Sequence, residues 1–90
     1  MVVTQTKNFG KQKKKLHANQ VKILDEAVTE IVANVDIGDL KKGDLHDVRV
    51  YKFKISKQEY LLTYTETKKQ ITLLSVGAHE NFYRDLKKTR

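Results

Sequence analysis

"VRVYKFKI", residues 48–55, decides the fold, because its polarity alternates with a period of two. Successive side chains of an extended chain point to opposite faces. Val48, Val50, Lys52 and Lys54 therefore fall on one side, and Arg49, Tyr51, Phe53 and Ile55 on the other. The Tyr51, Phe53 and Ile55 side is apolar enough to meet a helical layer. Lys52 and Lys54 then stand together on the far side, about 7 Å apart along the strand.

Toward the C-terminus, the turn "SKQE" (56–59) leads to "YLLTYTE" (60–66), and "TKKQ" (67–70) leads to "ITLLSV" (71–76). These pieces predict a three-strand antiparallel meander. Gly77 is expected to end the last strand, with "HENFYRDLKK" (79–88) forming a short terminal helix or tail. Toward the N-terminus, "VDIGDLKKGDLHD" (35–47) reads as turns built around Gly38 and Gly43. Before it, Val21, Leu24, Ala27, Val28, Ile31, Val32 and Val35 recur at the spacing of an amphipathic helix, with Asn19 the expected cap. "FGKQKKKL" (9–16), capped by Asn8, predicts a short basic helix with Phe9 and Leu16 one heptad apart. Val2 to Thr6 has the β-branched content of a short strand. The order β-α-α-β-β-β predicts an α+β fold, in which a helical hairpin packs on one face of a small, mainly antiparallel sheet.

Ninety residues are expected to form one domain spanning 1–90, with a single core. The absence of cysteine excludes disulfides and thiolate zinc sites. "MVVTQTK" has no apolar signal region and no apolar run approaches a bilayer span, so a soluble, cytoplasmic protein with no membrane partner is expected. Lysine and arginine number 18 against 11 acids, giving a charge of +7 and a pI near 9.7. That balance points to polyanionic partners, nucleic acid or ribonucleoprotein foremost. The chain contains no HxxxH, HExxH, GxGxxG, P-loop or GxSxG pattern, so neither a metal nor a small-molecule cofactor is expected.

"VGAHENFYRDLKK" (76–88) gathers His79, Glu80, Tyr83 and Arg84 just past the last strand. Metal-free RNA cleavage needs a base for the 2′-OH, cations for the developing phosphorane charge, and an acid for the 5′ oxygen. His79 fits the acid, because imidazoles in general ionise near pH ~6.5. Lys52 and Lys54 fit phosphate clamps. A plainer reading stands beside this one. Alternating lysines are commonly a solvated face, His79 serves as a turn cap, Tyr83 as a packed aromatic, and Arg84 as a partner for Glu80. The lysines from Lys11 to Lys15 are either a solvated helix face or a docking surface. His17 and His46 carry no specific signal. The residues by themselves leave both readings open.

The run "GDLHDVRVYKFKISKQEYLLTYTETKKQITLLSVGAHENFYRDLKK" (43–88), preceded by "ILDEAVTEIV" (23–32), resembles the RelE/ParE superfamily of bacterial toxins from type II toxin-antitoxin systems. The similarity covers nearly the whole chain, and "VYKFK", "EYLLTY" and the terminal "GxHENFYRDLK" are its specific parts. It implies a small α+β toxin held inactive by a cognate antitoxin protein. RelE-like members cut mRNA in the ribosomal A site without metal, whereas ParE-like members poison DNA gyrase and are not nucleases. Shared fold does not choose between the two.

Residue by residue, the resemblance gives Lys52 and Lys54 to the RelE-like strand whose lysines line the RNA site. It gives His79 to the position where a YafQ-like branch carries a histidine acid, and sets Tyr83 and Arg84 near the family's C-terminal aromatic and basic positions. Leu61 departs from the pattern, since RelE-like members carry a transition-state arginine there. Charge stabilisation then falls to Lys52, Lys54, and Arg49 or Arg84. The expected function is a ribosome-dependent, metal-independent mRNA endoribonuclease, with Lys11, Lys13, Lys14, Lys15 and Arg49 contacting RNA of the ribosome and message. A gyrase inhibitor, or a decayed toxin that only binds its antitoxin, are the alternatives. An acidic antitoxin segment that folds on binding would suit so cationic a surface.

Overall fold

Alternation in 48–55 produces the strand it predicts, next to the edge of a five-stranded sheet. A computed structural model describes residues 2–41 and 48–79. The elements are β1 (Val2–Gln5), α1 (Lys7–Lys14), α2 (Ala18–Ala33), β2 (Asp39–Lys41), β3 (Val48–Ile55), β4 (Gln58–Glu66) and β5 (Gln70–Ala78). A 3₁₀ turn over Val35–Ile37 joins α2 to β2. The sheet order is β1-β5-β4-β3-β2, with β1 parallel to β5 and every other pair antiparallel. This is the α+β arrangement expected, with β2 as an added edge strand. Among the described residues, no helix is long and apolar enough to cross a membrane.

The β3–β4 hairpin closes through Ser56 and Lys57, both with positive φ (48° and 72°), and Ile55 faces Gln58 across it. A two-residue loop of this kind matches the twist of the flanking strands and fixes their register. The β4–β5 pairing slips by one residue at Thr63/Tyr64, so Tyr64 faces Leu73 whereas Thr63 faces Ser75. Near this irregularity, the Gln12 side chain of α1 accepts from the Val76 backbone N–H at 2.8 Å and ties the helix to the strand.

The core lies between the helices and one sheet face. Phe9, Leu24, Ala27 and Ile31 pack there against Leu62, Tyr64, Ile71, Leu73 and Val76, with Tyr51 and Phe53 at the margin. Tyr64, fully buried, donates its hydroxyl hydrogen to the Val35 carbonyl (2.8 Å) and accepts from the Gly38 N–H (3.1 Å). The phenol hydroxyl is thus paired both as donor and as acceptor, as a buried hydroxyl must be. Burial, partly opposed by the Gly38 hydrogen bond, pushes the Tyr64 pKa up. Gly38 has ordinary extended backbone (φ −80°), and its lack of a side chain matters for another reason. A Cβ there would sit 2.8 Å from Tyr64 Oη.

Several local expectations are corrected. Thr6, not Asn8, caps α1: its Oγ accepts from the Phe9 N–H (3.1 Å) and donates to the Leu74 carbonyl (2.8 Å). The first strand therefore ends at Gln5, because Thr6 is already used for capping. His17, not Asn19, is the N-cap of α2, and Gln20 Oε1 reaches back to its N–H at 2.8 Å. Val35 lies beyond α2, in the 3₁₀ turn, yet still packs against the core. Residues 35–41, expected as turns, include that turn and β2. Gly77 does not end β5, which pairs on through Ala78. Gly43, His46 and the expected terminal helix or tail beyond His79 lie outside the described residues.

Candidate functional site

On the sheet face away from the helices, the register aligns Lys54 with Glu59, and Lys52 with Leu61 and Gly77. His79 follows directly on β5. Its Nε2 lies 3.6 Å from Glu59 Oε1, and both side chains are about two-fifths exposed (42% and 39%). Lys54 on β3, Glu59 on β4 and His79 just past β5 thus form one row, and Lys52 begins the next. The row holds two cationic groups or one, according to the protonation of His79, around a single carboxylate. It can hold an anion, and it offers both a proton acceptor and a proton donor.

Glu59 is not among the site residues that periodicity and motif point to. A signal for it is nevertheless present: once the turn is two residues long, counting back from Ile55 opposite Gln58 sets Glu59 opposite Lys54. Leu61, in the second row, is fully buried and packs with Val50 (6% exposed) in a small second cluster. It supplies an apolar floor and no charge. Next to it, Thr63 and Ser75 share a hydroxyl–hydroxyl hydrogen bond.

Arg49 sits elsewhere. It pairs with Tyr64 across the strands, on the helix side of the sheet, and its guanidinium is engaged. Nε donates to Glu66 Oε1 (2.7 Å), Nη1 to the Gly38 carbonyl (2.9 Å) and Nη2 to Asp36 Oδ1 (3.1 Å). The Glu66 hydrogen bond is the main cause that raises its pKa, with burial opposing. The expected RNA contact by Arg49 is therefore not brought to the Lys52 and Lys54 face. Its side chain instead clamps β3 to the α2–β2 connection.

Among the expected helix lysines, Lys11 and Lys14 line a groove with Lys7, Gln5, Thr6 and Gly10. Lys13 turns toward α2 and pairs with Asp25 at 3.3 Å. Lys15 caps the C-terminus of α1 and is exposed. Lys7, outside the helix that the sequence predicts, completes the i, i+4, i+7 stripe that the helix start makes visible. Tyr83 and Arg84 lie outside the described residues. Among the described residues, no group of three histidine or carboxylate side chains is arranged to hold a metal.

The chain resembles a chain of the crystal structure of the intact E. coli RelBE toxin-antitoxin complex, with 22% identity over 84% of this chain and 93% of that one, at a TM-score of 0.66. It resembles the isolated E. coli RelE toxin with 20% identity over 99% and 98% of the two chains, at 0.66. An arginine-to-alanine double variant of E. coli RelE in the free state gives 21% identity, 97% and 95% coverage, and 0.67. At such identities, these likenesses establish the fold alone. No curated protein matches the chain. The family described as ParE-like toxin of type II bacterial toxin-antitoxin system matches residues 3–87, and the chain belongs to that family.

Proposed function

We propose that this toxin is a ribosome-dependent mRNA endoribonuclease that works without metal in the cytoplasm and is held inactive by a cognate antitoxin. The observation that carries the reading is the row of Lys54, Glu59 and His79, with Lys52 beside it. Glu59 takes the proton from the 2′-OH as that oxygen attacks the neighbouring phosphorus. Lys52 and Lys54 offset the charge that builds on the phosphoryl oxygens. Protonated His79 gives its proton to the departing 5′ oxygen, leaving a 2′,3′-cyclic phosphate and a 5′-hydroxyl. Glu59 and His79 face one another at 3.6 Å; a phosphate entering the row separates acid from base. Lys7, Lys11 and Lys14 contact ribosomal RNA, and Tyr83 and Arg84 complete the site from the C-terminal segment.

A test is single-turnover cleavage of mRNA on programmed ribosomes. His79→Ala and Glu59→Gln should each slow the step by about 10² or more, the usual contribution of a positioned acid or base. Unchanged rates in both would remove these roles.

A second reading is favoured by the ParE-like description of the family and by Leu61, an apolar residue where RelE-like members carry arginine. It is a non-enzymatic gyrase inhibitor, insensitive to replacement of Lys52 or His79. Loss of supercoiling activity by purified gyrase on addition of the toxin is its signature.

A further inference from the structure

An anionic feature of this +7 chain lies away from the lysine row. On the helix side of the sheet, Ile23, Glu26, Ala27 and Glu30 of α2 face Tyr51 and Phe53 of β3 across an open groove of about 200 Å³. Glu26 and Glu30 are one helical turn apart and exposed, and neither has an ion-pair partner among the described residues. The two rings stack with centroids 6.1 Å apart and planes inclined by 13°. Aromatic faces beside carboxylates attract a guanidinium or ammonium group through the ring quadrupole and the opposite charge.

The strand beneath this groove is also half bare. Only Val48, Arg49 and Val50 of β3 pair with β2. Among the described residues, no strand covers Tyr51–Ile55 on the side away from β4. An uncovered edge presents unpaired N–H and C=O groups to any extended chain. A strand added here would send alternate side chains to opposite faces. Those on the helix side meet Tyr51, Phe53, Glu26 and Glu30. Those on the other side meet Lys52 and Lys54.

We propose that the bare half of β3 seats an extended segment of a partner protein in which basic and acidic side chains alternate, with the basic set in the Glu26/Glu30/Tyr51/Phe53 groove and the acidic set beside Lys52 and Lys54. Charge is complementary on both faces, so the segment is recognised by its order of charges and not by net charge. A one-residue slip sends every side chain to the wrong face. This inference concerns binding and stands whether or not the chain cuts RNA.

Two synthetic octapeptides of equal composition test it: one alternates arginine and glutamate, and the other carries four arginines followed by four glutamates. Binding is followed by fluorescence anisotropy and by amide shifts of the full chain. The alternating peptide should bind, shift the amides of 51–55, and protect that stretch from hydrogen exchange. The block peptide, and the alternating peptide with Glu26→Gln/Glu30→Gln protein, should each bind about tenfold or more weakly, a loss of roughly 1.4 kcal/mol. These conservative exposed substitutions leave the core intact. Equal affinity for the two peptides, undiminished binding by the double variant, shifts confined to other surfaces, or no binding at all would overturn the proposal. So would a concentration-dependent dimer that the double variant abolishes, since a second copy of this chain would then be the occupant.

Discussion

Tyr64 joins β4 to the α2–β2 connection through the Val35 carbonyl and the Gly38 N–H. Tyr64→Phe leaves the ring but strands a buried N–H and a carbonyl. It should lower the unfolding free energy by about 1 to 3 kcal/mol, measured by urea denaturation. The pH dependence has a definite sign. Tyr64 has a folded-state pKa raised above its ordinary 10.0, so the folded state holds the proton more tightly than the unfolded chain. The resulting stability is fully present below pH 10 and is lost as pH rises through the folded value. The stability gap between wild type and Tyr64→Phe should therefore narrow above pH 10, and a gap constant to higher pH would contradict the account. At the same scale, Lys52 and Lys54 are legible as neighbours from alternation alone. Glu59 is not, because its relation to them depends on a turn whose length only the positive φ at Ser56 and Lys57 settles.

Among the elements, β3 has two roles divided by its two faces. Its helix side holds Arg49, whose bonds to Glu66, Asp36 and Gly38 commit it to the fold. Lysine cannot reproduce that fork of donors. Arg49→Lys should cost about 1 to 2 kcal/mol of stability, the range for partly exposed charge-assisted bonds, seen as a lower urea midpoint. Ribosome-bound cleavage per folded molecule should remain unchanged; a selective loss of RNA affinity would restore Arg49 to the RNA surface. Periodicity reveals the long elements, α2 and the β3–β5 meander, because each repeats its apolar face several times. It does not reveal β2 or the caps. A three-residue strand has no period to read, and Thr6, Asn8, His17 and Asn19 all offer capping groups that tertiary packing, such as the Thr6 bond to Leu74, decides between.

Across the molecule, charge is sorted by surface. Lys52 and Lys54 lie on one sheet face, the Lys7, Lys11 and Lys14 stripe flanks β1, and Glu26 and Glu30 line the groove between α2 and β3. Net charge points to a polyanion partner, yet only the folded arrangement separates the stripe from Lys13, which Asp25 engages. If the stripe meets ribosomal phosphates, replacing Lys7, Lys11 and Lys14 by glutamine should weaken ribosome binding. It should also reduce the slope of log affinity against log salt by about 2 to 3, close to one for each phosphate no longer neutralised. A slope that does not change would place the phosphate-binding cations elsewhere. What the toxin does once bound is tested most directly by mapping mRNA 5′ ends by primer extension on translating ribosomes. New ends within the A-site codon, present with wild-type toxin and absent with His79→Ala, are the expected result. Intact message with the wild-type toxin would contradict the nuclease reading.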